Sequence, residues 1–170
     1  MASDEAAAIR QLIDKDQIID LVHEYSYRVD HRLYDEVVEL FTEDCVVDYG
    51  PGVAPVRSRA GLRAMFGHPG GAFAATSHHN ANVLVTFDGA DRASVRTSVY
   101  AWHQRADGVT PQLWGYYHDV AVRETGGWRI ELFINLMSFV PGGRSARMPA
   151  AFSFHSGPAG VNCEFGGLPN

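Results

Sequence analysis

Cysteine is almost missing from this 170-residue chain: there are two, Cys45 and Cys163, and they lack metal-ligand spacing. Two are too few for a disulfide framework, and Cys45, inside DCVVDY, reads as a small buried apolar residue. A basic surplus is missing as well. Lys and Arg number 14 against 20 Asp and Glu, for a net charge of −6. Nucleic-acid binding surfaces are normally basic, and no Lys/Arg run or aromatic-interleaved basic stripe occurs, so nucleic acid is not an expected partner. No stretch approaches the ~20 apolar residues of a membrane span. The opening MASDEAAAIRQ lacks the basic start and apolar core of a secretory leader. The cytoplasm is the expected compartment, with no membrane partner. There is no G-x-S-x-G elbow, no P-loop and no G-x-G-x-x-G after a strand, and there are no internal repeats.

What remains is ordinary globular material. Hydrophobic residues make up 46% and charged residues 20%, which suits one domain long enough to bury a substantial core. Ile18, Val22, Tyr25 and Val29 recur at the spacing that stacks side chains on one helical face, predicting a helix over 9–29. Tyr34, Val37, Val38 and Phe41 predict a second, short one. Thr42-Glu43-Asp44 interrupts that stripe, and Cys45 to Tyr49 reads as a strand ended by Gly50-Pro51-Gly52. Ser58 to Phe66 suits a third helix, closed by Gly67 and Pro69. Four strands are then expected: 82–87, 93–104, 113–123 and 128–140, joined by turns at Asp88-Gly89, 105–111 and Thr125-Gly126-Gly127. Helices first and an antiparallel meander after is the α+β pattern. The domain is placed at 1–143, with 144–170, rich in Gly, Pro and Ser, as an irregular tail that folds over a pocket or a neighbour.

Eight histidines invite a metal reading, with Ser77-His78-His79-Asn80 the densest cluster. Neighbouring residues on a strand point to opposite faces, however, which argues against His78 and His79 sharing an ion. Asp30 lies just past the first apolar stripe, where two readings stand side by side. It is an N-cap for the second helix, or it is a site carboxylate. Tyr25 lies on the buried stripe, where a core tyrosine needs a partner for its hydroxyl. Tyr49 ends a strand at a turn, and His103 sits at the end of another. Parity puts Tyr117 and Asp119 on one face of their strand, and Tyr116 and His118 on the other.

The set Asp30, Tyr49, His78 and His103, in this order and in these elements, resembles the scytalone dehydratase and SnoaL-like group of the nuclear-transport-factor-2-like superfamily. The resemblance runs from about Ile9 to Val140, through IIDLVHEYSYRVDHRLYDEVVELF, VVDY, TSHHNANVLV, ASVRTSVYAWH and GYYHDVAVRETGGWRI. It implies a cystatin-like cone of curved antiparallel sheet, closed by N-terminal helices around a pocket. It also implies elimination of water from a hydroxylated, ring-containing carbonyl compound, with no metal and no organic cofactor.

By residue, the resemblance implies His78 as acid/base, His103 as a second histidine, and Asp30 as the partner of one of the two. Tyr49 and Tyr25 become hydroxyl donors, Tyr25 matching the related bile-acid dehydratases rather than scytalone dehydratase. Tyr117, Trp102, Phe133 and Asn135 are the expected substrate-binding positions, although scytalone dehydratase has an asparagine where Tyr117 stands. Phe66, Phe73, Trp114 and Met137 add apolar surface suited to a small apolar or polycyclic substrate. A homo-oligomer, trimer or dimer, is expected by the same route. Two rivals share the fold: a polyketide cyclase or ketosteroid-isomerase-like enzyme, and a non-catalytic small subunit of a ring-hydroxylating dioxygenase.

Overall fold

The structure, a computed structural model, describes residues 2–50, 54–67 and 73–140, with side chains described for 4–136 of these. In chain order the elements are α1 (Ala2–Asp30), α2 (Tyr34–Val38), β1 (Phe41–Asp48), β2 (Val56–Arg57), α3 (Ser58–Phe66), β3 (Ala75–Phe87), β4 (Arg92–Gln104), β5 (Gln112–Glu124) and β6 (Gly127–Val140). One six-stranded sheet, unclosed and curved, runs β2-β1-β6-β5-β4-β3.

The expected meander is present as β3 to β6, each strand antiparallel to the next. The sheet as a whole is mixed rather than antiparallel, because β1 adds to β6 in parallel. That pairing joins distant segments, so no local turn signal announces it. Two strand starts also move. β1 opens at Phe41, not Cys45, because Glu43 and Asp44 lie exposed on the strand instead of ending the pattern. β3 opens at Ala75, not Asn82. Its register shifts between Ala81 and Leu84, and Asn82 takes a φ of 52°, a left-handed conformation asparagine tolerates and bulges use. The bulge splits the strand's alternation, which is why its polar first half, ATSHHNA, reads as loop.

Burial alternates strictly along β4: Ala93, Val95, Thr97, Val99, Ala101 and His103 are buried. With Tyr117, Asp119 and Ala121 of β5 and Phe133 and Asn135 of β6 they make the inner face. The Ile18-Val22-Tyr25 stripe of α1 packs here, as its spacing predicts, together with Leu21. Asn80 ties the helix down, its Nδ2 donating to Ser26 Oγ at 2.7 Å and to the Val22 carbonyl at 3.3 Å. At the far end of the sheet Asp14 is buried. It pairs with Arg123 Nη2 at 2.6 Å and accepts from Trp128 Nε1 at 3.4 Å. The guanidinium of Arg123 lies 4.5 Å above the Trp128 ring. Cys45 is fully buried, as expected, and burial pushes its thiol up to about 11. No helix among the described residues is long and apolar enough to cross a membrane. The boundary at 143/144, the tail 144–170, Pro69, Cys163 and the side chain of Met137 lie outside what is described.

Candidate active site

α1 ends at Asp30, and the end of α1 lies over the first half of β3. Asp30 Oδ1 meets His78 Nδ1 at 2.6 Å and accepts from Thr76 Oγ1 at 2.8 Å. Its Oδ2 accepts from the backbone amide of His78 at 2.7 Å. The helix-cap reading of Asp30 is therefore set aside. The N-cap of α2 is Leu33, with no side-chain cap bond, and both Asp30 oxygens are engaged on β3. Which histidine meets Asp30 was open in the sequence; His78 does.

The pair is largely shielded, with side-chain exposures of 18% for Asp30 and 7% for His78. Burial pulls the Asp30 carboxyl upward, but the hydrogen bonds from the His78 ring, its amide and Thr76 outweigh it, and the net shift is downward. Asp30 is thus a carboxylate at neutral pH. An Nδ1–H donated to it leaves the lone pair of His78 on Nε2.

His103 stands opposite Thr76 in the β3–β4 register, on the same face as His78. The two imidazoles lie edge to face at 5.3 Å, and Phe73 lies against His103 at 4.3 Å. Burial, then the neighbouring His78, push His103 down to about 4. It is a neutral imidazole, and its Nδ1 has no hydrogen-bond partner among the described residues. His79 points the other way, beside Ser77 and Tyr100, as strand parity predicts. No group of three His, Cys, Asp or Glu placed to hold a metal occurs among the described residues.

The two tyrosines converge. Tyr25 and Tyr49 hydroxyls are 3.4 Å apart, and burial raises both phenols, Tyr49 to about 12 and Tyr25 well above its ordinary range. Both keep their protons and can donate. Tyr49 is held by the turn after it. The Gly50 amide donates to Asp48 Oδ1 at 2.8 Å, and Gly50 takes a φ of 91°, where a Cβ would meet the Asn135 carbonyl at 3.2 Å. Only glycine combines that conformation with that approach.

Of the expected substrate-binding positions, the Tyr117 and Phe133 rings lie 4.7 Å apart, tilted at 45°, and both contact Tyr25, and Asn135 is buried on the same face. Trp102 is a correction. It pairs with Ser77 and Gln112, one residue out of phase with His78 and His103, so it lies on the opposite face of the sheet. A tryptophan beside an inward histidine faces outward because side chains alternate. Trp114 is likewise on the outer face, 54% exposed, and Phe66 stacks on Tyr34 at 5.0 Å, outside the Tyr25–Tyr117–Phe133 group. Thr76 was missed by sequence reasoning. Its two-residue offset from His78 on one strand face was the signal available.

The family model of a SnoaL-like domain matches residues 10–133. A crystal structure from Novosphingobium aromaticivorans, provisionally described as a scytalone dehydratase, is 26% identical. The match covers 86% of this chain and 99% of that one, with a TM-score of 0.72. A second from the same organism, provisionally described as an aromatic ring hydroxylase, is 30% identical over 76% of this chain and 91% of its own, with a TM-score of 0.69. A third, a nuclear-transport-factor-2-like protein with a cystatin-like fold, again from that organism, is 22% identical; 89% of this chain and 98% of that one align at a TM-score of 0.68. That likeness gives the fold class. No curated protein matches the chain's sequence.

Proposed function

The chain belongs to the SnoaL-like domain family, and from that premise we propose a cofactor-independent hydro-lyase that removes water from a hydroxylated, ring-containing carbonyl compound. The observation that carries this reading is the shielded Asp30–His78 pair. His78 Nε2 takes the proton beside the carbonyl, and the electron pair of that C–H bond moves toward the carbonyl oxygen. An enolate results, facing the hydroxyls of Tyr25 and Tyr49. The imidazolium, balanced by the Asp30 carboxylate, then gives its proton to the β-hydroxyl. The C–O bond breaks, water leaves, and the enolate electrons form the new C=C bond. His103, held neutral, can hydrogen-bond the leaving oxygen without adding charge. A donor aimed at developing negative charge contributes on the order of a hundredfold or more to rate, and a placed general base contributes ~10²–10⁴.

The probe we select is 4-hydroxy-2-tetralone, whose dehydration yields fluorescent 2-naphthol. Enzyme-dependent fluorescence with loss of one water by mass supports the reading, as does a drop of about a hundredfold in His78→Ala. An isomerised product of unchanged mass would turn it toward the ketosteroid-isomerase-like alternative. Turnover of the probe that is equal in wild type and His78→Ala would end the reading. A second reading, a non-catalytic subunit of a ring hydroxylase, draws support from the description of the 30% identical structure. A co-purifying iron–sulfur protein would favour it; the shielded dyad and paired tyrosines weigh against it.

A further inference from the structure

Beyond the dyad, the inner face carries polar atoms that nothing among the described residues satisfies. Thr97 of β4, Tyr117 of β5 and Asn135 of β6 form one row across three neighbouring strands. Thr97 is 0% exposed and Asn135 4%, and among the described residues neither Thr97 Oγ1 nor Asn135 Oδ1 has a hydrogen-bond partner. Asp119, two residues further along β5, is buried too, with an unpartnered Oδ1. Native interiors rarely leave such atoms unpaired, because each loses its water without replacement. Three together on one sheet face, beside the candidate active site, mark a place built to receive a polar group.

We propose that Thr97 and Asn135, flanking Tyr117, form a second subsite that takes an uncharged hydroxyl of the ligand. This deepens the function proposed above: one end of the ligand reacts at Asp30–His78, and the other is read here. The spacing fits that division. His78 lies opposite Ala101, and Thr97 is four residues along β4 from Ala101, which is about 13 Å at ~3.3 Å per residue. A fused two-ring ligand with an oxygen at each end bridges that separation once a hydrogen bond of about 2.8 Å is added at each oxygen. Asn135 Oδ1 accepts and the Thr97 hydroxyl both accepts and donates, so an O–H serves both. Among the described residues Asp119 pairs with no Lys or Arg, and burial alone holds its carboxyl well above the usual range, so an anionic ligand group would be buried here with no cation to balance it. The subsite selects hydroxyl over anion.

The test is equilibrium binding, which needs no turnover. The probes are 2-naphthol, 2,6-dihydroxynaphthalene and 6-hydroxy-2-naphthoate, titrated by fluorescence against wild type, Thr97→Val, Thr97→Val/Asn135→Leu and His78→Ala. The second hydroxyl should tighten Kd by about tenfold in wild type, as one net hydrogen bond would, and the naphthoate should bind weakest. Thr97→Val should lose most of that preference and the double variant all of it, while His78→Ala keeps it. Thr97→Val should also raise the thermal midpoint of the free protein, since it removes an unsatisfied hydroxyl. Equal affinities of the first two probes in wild type would overturn the subsite. So would a preference that disappears with His78, or a midpoint that falls in Thr97→Val. Loss of probe dehydration with the binding preference intact would sink only the proposed reaction.

Discussion

Replacing Asp30 by asparagine changes almost no volume, and its cost can be worked from three hydrogen bonds. Oδ1 receives His78 Nδ1 and Thr76 Oγ1, and Oδ2 receives the His78 amide. Asparagine offers one acceptor oxygen and one NH₂ donor. With its oxygen toward the imidazole, NH₂ faces the His78 amide, donor against donor. With the amide turned over, NH₂ faces Nδ1, and the imidazole can accept only by moving its proton to Nε2. That tautomer has no lone pair left to act as base. Either way a bond to a charged acceptor is lost and a shielded donor goes unmet, about 2–3 kcal/mol. In a chain of this size that is roughly 4–12 °C in Tm.

The loss is pH-dependent. Asp30 has a folded-state pKa below its ordinary 3.8, so its stabilisation is full above that value and fades as pH falls through the folded one. Urea denaturation of wild type and Asp30→Asn should show the widest gap above about pH 5, narrowing below pH 4. Ring ¹⁵N resonances of His78 should report a changed tautomer or lost hydrogen bond. A variant as stable as wild type at pH 7, with unchanged His78 resonances, would refute the reasoning.

His103 should shape the acid side of the stability curve. With its pKa pushed from 6.5 to about 4, the unfolded chain binds the proton first, so stability should fall by about 3 kcal/mol between pH 6.5 and 4. His103→Gln should flatten that slope in urea titrations, and a His103 resonance titrating near pH 6.5 would contradict it. Phe133 contacts Tyr25, Tyr49, Tyr117 and Phe41, so Phe133→Ala should cost ~3–5 kcal/mol by the same method, and Phe133→Leu far less. Arg123→Ala leaves Asp14 buried without its cation and should cost about 3 kcal/mol, with Asp14→Asn/Arg123→Met recovering much of it.

Much of this fold is visible in residue patterns. The four-three-four stripe from Ile18 to Val29 and the β-branched runs after Ala93 give the helix and the meander, since apolar periodicity follows burial directly. What stays hidden is non-local or irregular. The parallel β1–β6 pairing has no local turn, and the bulge at Asn82 breaks the alternation that would have revealed Ala75 to Ala81 as strand. The candidate site follows the same division. Asp30, Tyr49, His78 and His103 emerge from order and spacing against a family. Whether Asp30 caps α2 or meets a histidine depends on β3 lying against the end of α1, and no window of sequence contains both. Trp102 shows the limit of a residue list without a face: one position from His103, it lies on the other side of the sheet.

The most direct measurement of His78 as the proton-abstracting base is exchange of the carbonyl-adjacent protons of 2-tetralone in D₂O, followed by ¹H NMR. Wild type should speed exchange above the uncatalysed rate, His78→Ala should lose about a hundredfold of that, and Asp30→Asn should be slowed as well. Exchange that proceeds equally fast without His78 would contradict the account.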